Sequence, residues 1–157
     1  MASIFRRLFK VAESNAHAAM DNLEDPIKMT EQGIRDLKTN LQAAMVSLAQ
    51  VKSLAIRMRK EASDHKKRAA DYERKAMLIL KKMEAGEMDS GEAERLATAA
   101  LEKKEAGLGQ AATATTNHET QQRMADTLQA KVEDLQRQIS TYENEAITLQ
   151  ARARTAS

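Results

Sequence analysis

The residues best placed to do chemistry stand at the start of the chain, and the chemistry they suit is that of a lipid–water boundary. Ile4, Phe5, Leu8 and Phe9 alternate with Arg6, Arg7 and Lys10. On a helical wheel the four apolar residues fall on one side with Ala12, Ala16, Ala19, Met20 and Leu23, and the three cations fall on the other with Glu13, His17, Asp21 and Glu24. Such a helix lies in a membrane interface, with its apolar face among acyl chains and its cations among anionic headgroups. Each Lys or Arg near an anionic leaflet adds about 1 kcal/mol. Three cations therefore bias binding, and insertion of Phe5, Leu8 and Phe9 must supply most of the rest. The same pattern also fits a helix that docks by its apolar face on protein.

Other reactive groups offer less. His65 and His118 fall on apolar seams without a second ligand three or four residues away, so each reads as a hydrogen-bonded polar layer rather than a metal ligand. The absence of Cys rules out disulfides and thiolate-bound metal. No stretch matches a phosphate-cradling Gly-rich loop, a zinc motif or a calcium-binding loop. Ser, His and acidic residues are spread along rods, with no pocket in which a nucleophile or base could be tuned, so neither catalysis nor a cofactor is expected. The Lys66-Lys67-Arg68 run offers positive charge to an anionic partner. Without interleaved aromatics or a continuous basic region leading into heptads, it argues against nucleic acid.

The elements that must position these groups follow from periodicity. From Ile27 to Met83, one seam reads Ile34, Leu41, Leu48, Ala55, Ala62, Ala69, Ala76, Met83 and the other Leu37, Ala44, Val51, Met58, His65, Tyr72, Ile79. An unbroken seven-residue repeat of this length predicts a single helix roughly 85 Å long with one narrow apolar stripe, which needs a partner. A second stretch supplies it, through Ala93, Ala97, Ala100, Lys104, Gly107, Ala111, Ala114, His118, Gln121, Ala125, Leu128, Val132, Leu135, Ile139, Tyr142, Ala146 and Leu149. Between them, Gly86 suits a helix C′ position, and Asp89 with Glu92 has capping-box spacing. Folding the chain near Glu87 sets large residues opposite large ones at the base, and small opposite small near the tip. The stretch Gly107 to Gln122, with two glycines and several Thr, is weaker and is expected to bend or flex. Residues from Arg152 onward are expected to fray.

Composition agrees. Two Tyr, two Phe and no Trp cannot fill a thick core, and 31% charged residues with few Gly or Pro suit long helices. No apolar run approaches the roughly 18 residues of a membrane span. Charge is uneven: Ile27 to Met83 carries 14 Lys and Arg against 6 Asp and Glu, whereas Asp89 to Ser157 carries 8 against 11. Complementary charge along one hairpin and a surface for an anionic partner both fit this. Glu24, Asp25 and Pro26 separate the leader from the rod. Asp25 suits an N-cap, Pro26 suits the first helical turn, and Pro disfavours helix at the residue before it. Asp25 and Pro26 are therefore expected to form a hinge.

The expected fold is all-α, a long antiparallel helical hairpin (a coiled coil) preceded by a short amphipathic helix. Residues 1–24 form the membrane-binding leader and residues 25–157 the hairpin. Its helices span 26–84 and 90–153, and its tip spans 85–89.

Taken in order, the segments resemble the phage shock protein A family, whose plastid and cyanobacterial members are called vesicle-inducing protein in plastids, within the ESCRT-III superfamily. The resemblance is carried by Ile4-Phe5-Arg6-Arg7-Leu8-Phe9-Lys10, by Leu23-Glu24-Asp25-Pro26 and by the long heptad helix. It continues in Tyr72-Glu73-Arg74-Lys75-Ala76, Glu94-Arg95-Leu96-Ala97 and Ala100-Leu101-Glu102-Lys103-Lys104. It implies a non-enzymatic, cytoplasmic protein, peripheral on the inner face of a prokaryotic or plastid-type membrane. The expected partners are an anionic lipid membrane and further copies of the chain, in rods or rings, which stabilise or remodel stressed bilayers. Some family members also restrain a AAA+ transcription activator through the hairpin. Two departures stand out. Family members commonly continue into further helices that pack on neighbouring subunits, where this sequence ends, and the tip here is longer and more glycine-marked. The alternative is a soluble coiled-coil adaptor that binds a protein partner through its leader or its hairpin.

Overall fold

The computed structural model describes residues 21–156, with side chains from Asp25 onward. Ile4, Phe5, Arg6, Arg7, Leu8, Phe9 and Lys10 lie outside the described residues. The chain is all-α: α1 (Asp21–Glu84) and α2 (Ser90–Ala156) form an antiparallel hairpin, and no strand occurs among the described residues. The hairpin comprises two compact units, a base that pairs residues up to Leu48 with those from Thr127, and a tip from Ala49 to Asp126.

The turn between the helices is set by backbone geometry. Gly86 has φ +72°, the left-handed conformation in which a side chain is strained. The Glu87 N–H donates to the Lys82 carbonyl at 2.9 Å and the Gly86 N–H to the Met83 carbonyl at 3.0 Å. These are the paired bonds of a Schellman motif, which satisfies carbonyls left open at a helix end. On the other side the Asp89 carboxylate accepts the Glu92 N–H at 3.3 Å, and the Asp89 carbonyl accepts the Ala93 N–H at 2.9 Å. Asp89 is therefore the N-cap of α2.

In the base unit the buried seam is made of Ile34, Leu37, Ala44 and Leu48 from α1, and Val132, Leu135, Ile139, Tyr142, Ala146 and Leu149 from α2. Cross-helix pairs are Lys38 with Glu143 at 3.8 Å and Gln150 donating to Glu31 at 3.3 Å. In the tip unit the buried seam is Ala55, Ala62, Ala69 and Ala76 against Ala93, Ala97, Ala100, Ala111, Ala114 and Ala125.

Three details differ from the sequence reading. The helix expected to begin at Asp25 and Pro26 is already helical at Asp21, with Pro26 inside it, so Asp25 is not its N-cap. Pro26 lacks the N–H that would close an i→i−4 bond. Its own carbonyl accepts the Thr30 hydroxyl at 2.7 Å, and both residues are buried. Packing thus offsets the local cost. Secondly, Gly107 to Gln122 is helical throughout, and the Thr113, Thr116 and Thr120 hydroxyls donate to carbonyls four residues back. Thirdly, α2 reaches Ala156, because the Ala- and Arg-rich end contains no helix breaker.

Candidate functional site

The surfaces on which function can be placed are built by the seam beneath them. In the tip unit, closely packed helices follow from small side chains. A Cβ added at Gly107 would stand 3.4 Å from the Ala69 Cβ and 3.5 Å from the His65 carbonyl oxygen, ordinary contact distances that leave no room beyond a methyl group. Near the end of the hairpin, Ala76, Ala97 and Ala100 form a small cluster against which Tyr72 and Ile79 pack. The Tyr72 ring is covered by two ammonium groups, Lys75 Nζ at 5.0 Å and Lys103 Nζ at 5.5 Å from its centroid. Lys104, at a seam position of α2, reaches Glu73 on α1 at 3.4 Å, so a charge on the seam is matched across it.

The two seam histidines have separate partners. His118 Nδ1 lies 2.8 Å from the Ala55 carbonyl oxygen. A carbonyl only accepts, so this nitrogen carries the proton. His65 Nδ1 lies 3.3 Å from an Arg68 Nη. A guanidinium only donates, so this nitrogen accepts. One ring bridges the helices while the other stays on its own helix, and among the described residues no group of three or more potential ligands gathers to hold a metal. Beside His65, Ala106, Gly109 and Ala114 are too small to fill the interhelix space, and an open groove of about 470 Å³ remains next to Met58 and Glu61.

The back of α1 in the tip unit is cationic. Arg57, Arg59, Lys60, Lys66, Lys67, Lys81 and Lys82 are all exposed, and none forms an ion pair with a described residue. Arg74 pairs with Asp71. Exposed apolar side chains stand among these cations, notably Ile56 and Leu78. The excess of basic residues is legible in the sequence, but the Lys75–Tyr72–Lys103 stack is not, because it needs the register of the two helices.

In the base unit, sequence reading missed two polar groups. Thr30 is fully buried, and its hydroxyl is taken up by the Pro26 carbonyl. Glu145 has a carboxylate oxygen, Oε2, buried without a hydrogen-bond partner among the described residues. Burial pushes the Glu145 carboxyl above its ordinary range, and burial together with the nearby Glu145 charge pushes up the Tyr142 phenol. A Glu in a heptad gives no sequence signal of burial, since its neighbours at three and four residues decide it.

No described helix is long and apolar enough to cross a membrane. The thin seam closes between the two helices, and the outer face of α1 in the tip unit carries exposed cations that form no ion pair with a described residue. In a comparison with known proteins, the model of the PspA/IM30 family matches residues 3–157, and the chain belongs to that family. It is 29% identical over 154 residues to the phage shock protein A homolog of Deinococcus radiodurans, covering 98% of this chain and 65% of that protein. It is 29% identical over 153 residues to the membrane-associated protein Vipp1 of Nostoc punctiforme, covering 98% and 56%. It is 30% identical over 157 residues to the membrane-associated protein Vipp1 of Synechocystis sp., covering 98% and 54%. The chain thus spans between half and two thirds of the length of these relatives.

Proposed function

We propose that this protein is a peripheral, self-assembling membrane protein that attaches to anionic bilayers through its leader and stabilises or remodels them. The observation that carries the reading is the family match from residue 3 onward, which takes in the amphipathic run from Ile4 to Lys10. Relatives named as membrane-associated support the same partner. Ile4, Phe5, Leu8 and Phe9 insert among acyl chains, while Arg6, Arg7 and Lys10 meet the headgroups.

One such helix binds weakly and reversibly. Side-by-side assembly of many hairpins raises the local concentration of leaders and makes attachment firm. Insertion into one leaflet then imposes curvature. The location that follows is the cytoplasmic side of the membrane. Pro26 removes one backbone bond close to the leader, which softens α1 at the point where the leader must reorient. Restraint of a AAA+ transcription activator, which the family resemblance implies, would use the hairpin.

Flotation of the full chain with phosphatidylglycerol and with phosphatidylcholine vesicles tests the attachment. The unaltered protein floats with the anionic vesicles at low salt, and a Phe5→Ser, Leu8→Ser, Phe9→Ser variant loses most of that binding. Equal flotation of the two proteins would overturn the role given to the leader.

A further inference from the structure

The outer face of α1 in the tip unit carries a repeat that the seam does not require. Lys60, Lys67, Arg74 and Lys81 recur every seven residues, a spacing that returns to within about 20° of the same side of a helix and places successive members ~10.5 Å apart. Each stands two residues before a seam position, roughly 200° round the helix and so on the side turned away from α2. All four are exposed. Ile56, four residues before Lys60, is 70% exposed, and Leu78, four residues after Arg74, is 54% exposed. In chain order the line reads Ile56, Lys60, Lys67, Arg74, Leu78, Lys81, a row of cations with one exposed aliphatic side chain at its start and one near its end.

We propose that this face is a second contact for an anionic bilayer surface, formed without any residue of the leader. The inference extends the membrane reading above to a separate site. Three candidate occupants differ in chemistry. A second copy of the chain would have to neutralise the face. From Arg57 to Lys82, α1 carries ten Lys and Arg against four Asp and Glu, whereas from Ser90 to Asp126 α2 carries six Asp and Glu against four Lys and Arg. That acidic excess is too small to match it. A nucleic acid would bring phosphates but would leave Ile56 and Leu78 in water. Nor would it find a ring to stack on, because Tyr72 is covered by Lys75 and Lys103. An anionic leaflet offers headgroup charge for the lysines and an acyl boundary for the two aliphatics at once.

The test uses four full-length proteins: the unaltered chain, the leader variant above, a face variant (Lys60→Gln, Lys67→Gln, Lys81→Gln), and the two sets combined. Each lysine near an anionic leaflet is worth about fivefold in binding. The face variant is therefore expected to bind phosphatidylglycerol vesicles at least about tenfold more weakly, with a shallower salt dependence, and to keep its helical circular dichroism. The combined set is expected to bind more weakly than the leader variant. Vesicle binding by the face variant equal to that of the unaltered chain overturns the proposal. So does unchanged vesicle binding with lost binding to a DNA duplex, which would make the face a nucleic-acid site. Loss of sedimentable assembly without lipid, at unchanged vesicle affinity, overturns it in favour of a second copy. If the leader variant alone loses binding, the leader reading stands and this one falls; the reverse pattern keeps this site and removes the leader's role.

Discussion

The base and the tip close their seams with different side chains. In the base, Leu37 and Leu149 are each 1% exposed, and Ile34, Val132, Leu135, Ile139 and Tyr142 are buried with them. In the tip, buried alanines and Gly107 meet at short range, interrupted by His65, His118 and Lys104. A buried Leu removes several times the apolar area of an Ala, so the base holds most of the hydrophobic stabilisation and the tip relies on close backbone approach and a few matched polar layers. Net charge differs as well: in the tip, α1 from Arg57 to Lys82 carries ten Lys and Arg against four Asp and Glu, whereas in the base, from Asp25 to Leu48, it carries three of each. A region with little buried area and much exposed charge is suited to meet a partner, and one with a thick seam is suited to hold the hairpin together.

Substitutions can break this contrast. The largest effect is expected for Leu37→Ala in the base, a loss of about 2–5 kcal/mol, read by urea denaturation. A similar loss from Ala69→Gly in the tip would show that the tip is no weaker in burial than the base. At Gly107 the expected sign depends on size. Gly107→Leu forces a bulky side chain against Ala69 and the His65 carbonyl and costs about 1–3 kcal/mol. Gly107→Ala fits at ordinary contact distance and gains up to ~1 kcal/mol of helix propensity. Thermal melts of both variants decide whether close approach, rather than a need for flexibility, explains the glycine. His118→Ala removes the bond to the Ala55 carbonyl and is expected to cost about 0.5–1.5 kcal/mol, with slowed amide exchange lost first in the tip.

The smallest effect lies in the base. Because the Glu145 carboxyl is raised in the folded chain, the folded state holds its proton more tightly than the unfolded state. The favourable contribution is therefore fully present below the ordinary carboxyl range and is lost as pH rises through the raised value. Glu145→Gln is expected to raise the melting temperature slightly at pH 7 and to leave it unchanged near pH 3.5. A melting temperature lowered at pH 7 would show that the carboxylate has a stabilising partner.

Much of this arrangement was legible in the sequence, and the gaps have physical causes. The heptad seam placed Ala55, Ala62, Ala69 and Ala76 where they are buried, and the folding point near Glu87 set Lys104 beside Glu73 and Gly107 beside Ala69. Toward the base, Lys38 with Glu143 and Glu31 with Gln150 pair between one and two turns beyond that register, a distance that long side chains span. Pro26 misled because local preference marks a helix start, whereas its burial with Thr30 carries the helix through it. The leader was legible as an amphipathic pattern, but which surface it covers is decided by a partner, not by its own periodicity. Polar residues on the seam were visible as His65 and His118, but their partners were not, since tautomer and contact depend on which turn of the other helix lies opposite.

The most direct test of the account is a depth measurement at the leader. The chain has no Cys, so Leu8→Cys and Thr39→Cys each offer a unique position for an environment-sensitive fluorophore. On phosphatidylglycerol vesicles the label at position 8 is expected to shift to the blue and to be quenched by a lipid-borne quencher, while the label at position 39 stays in water. A label at position 8 that remains in water while the protein still floats would contradict the account and move membrane attachment onto the hairpin itself.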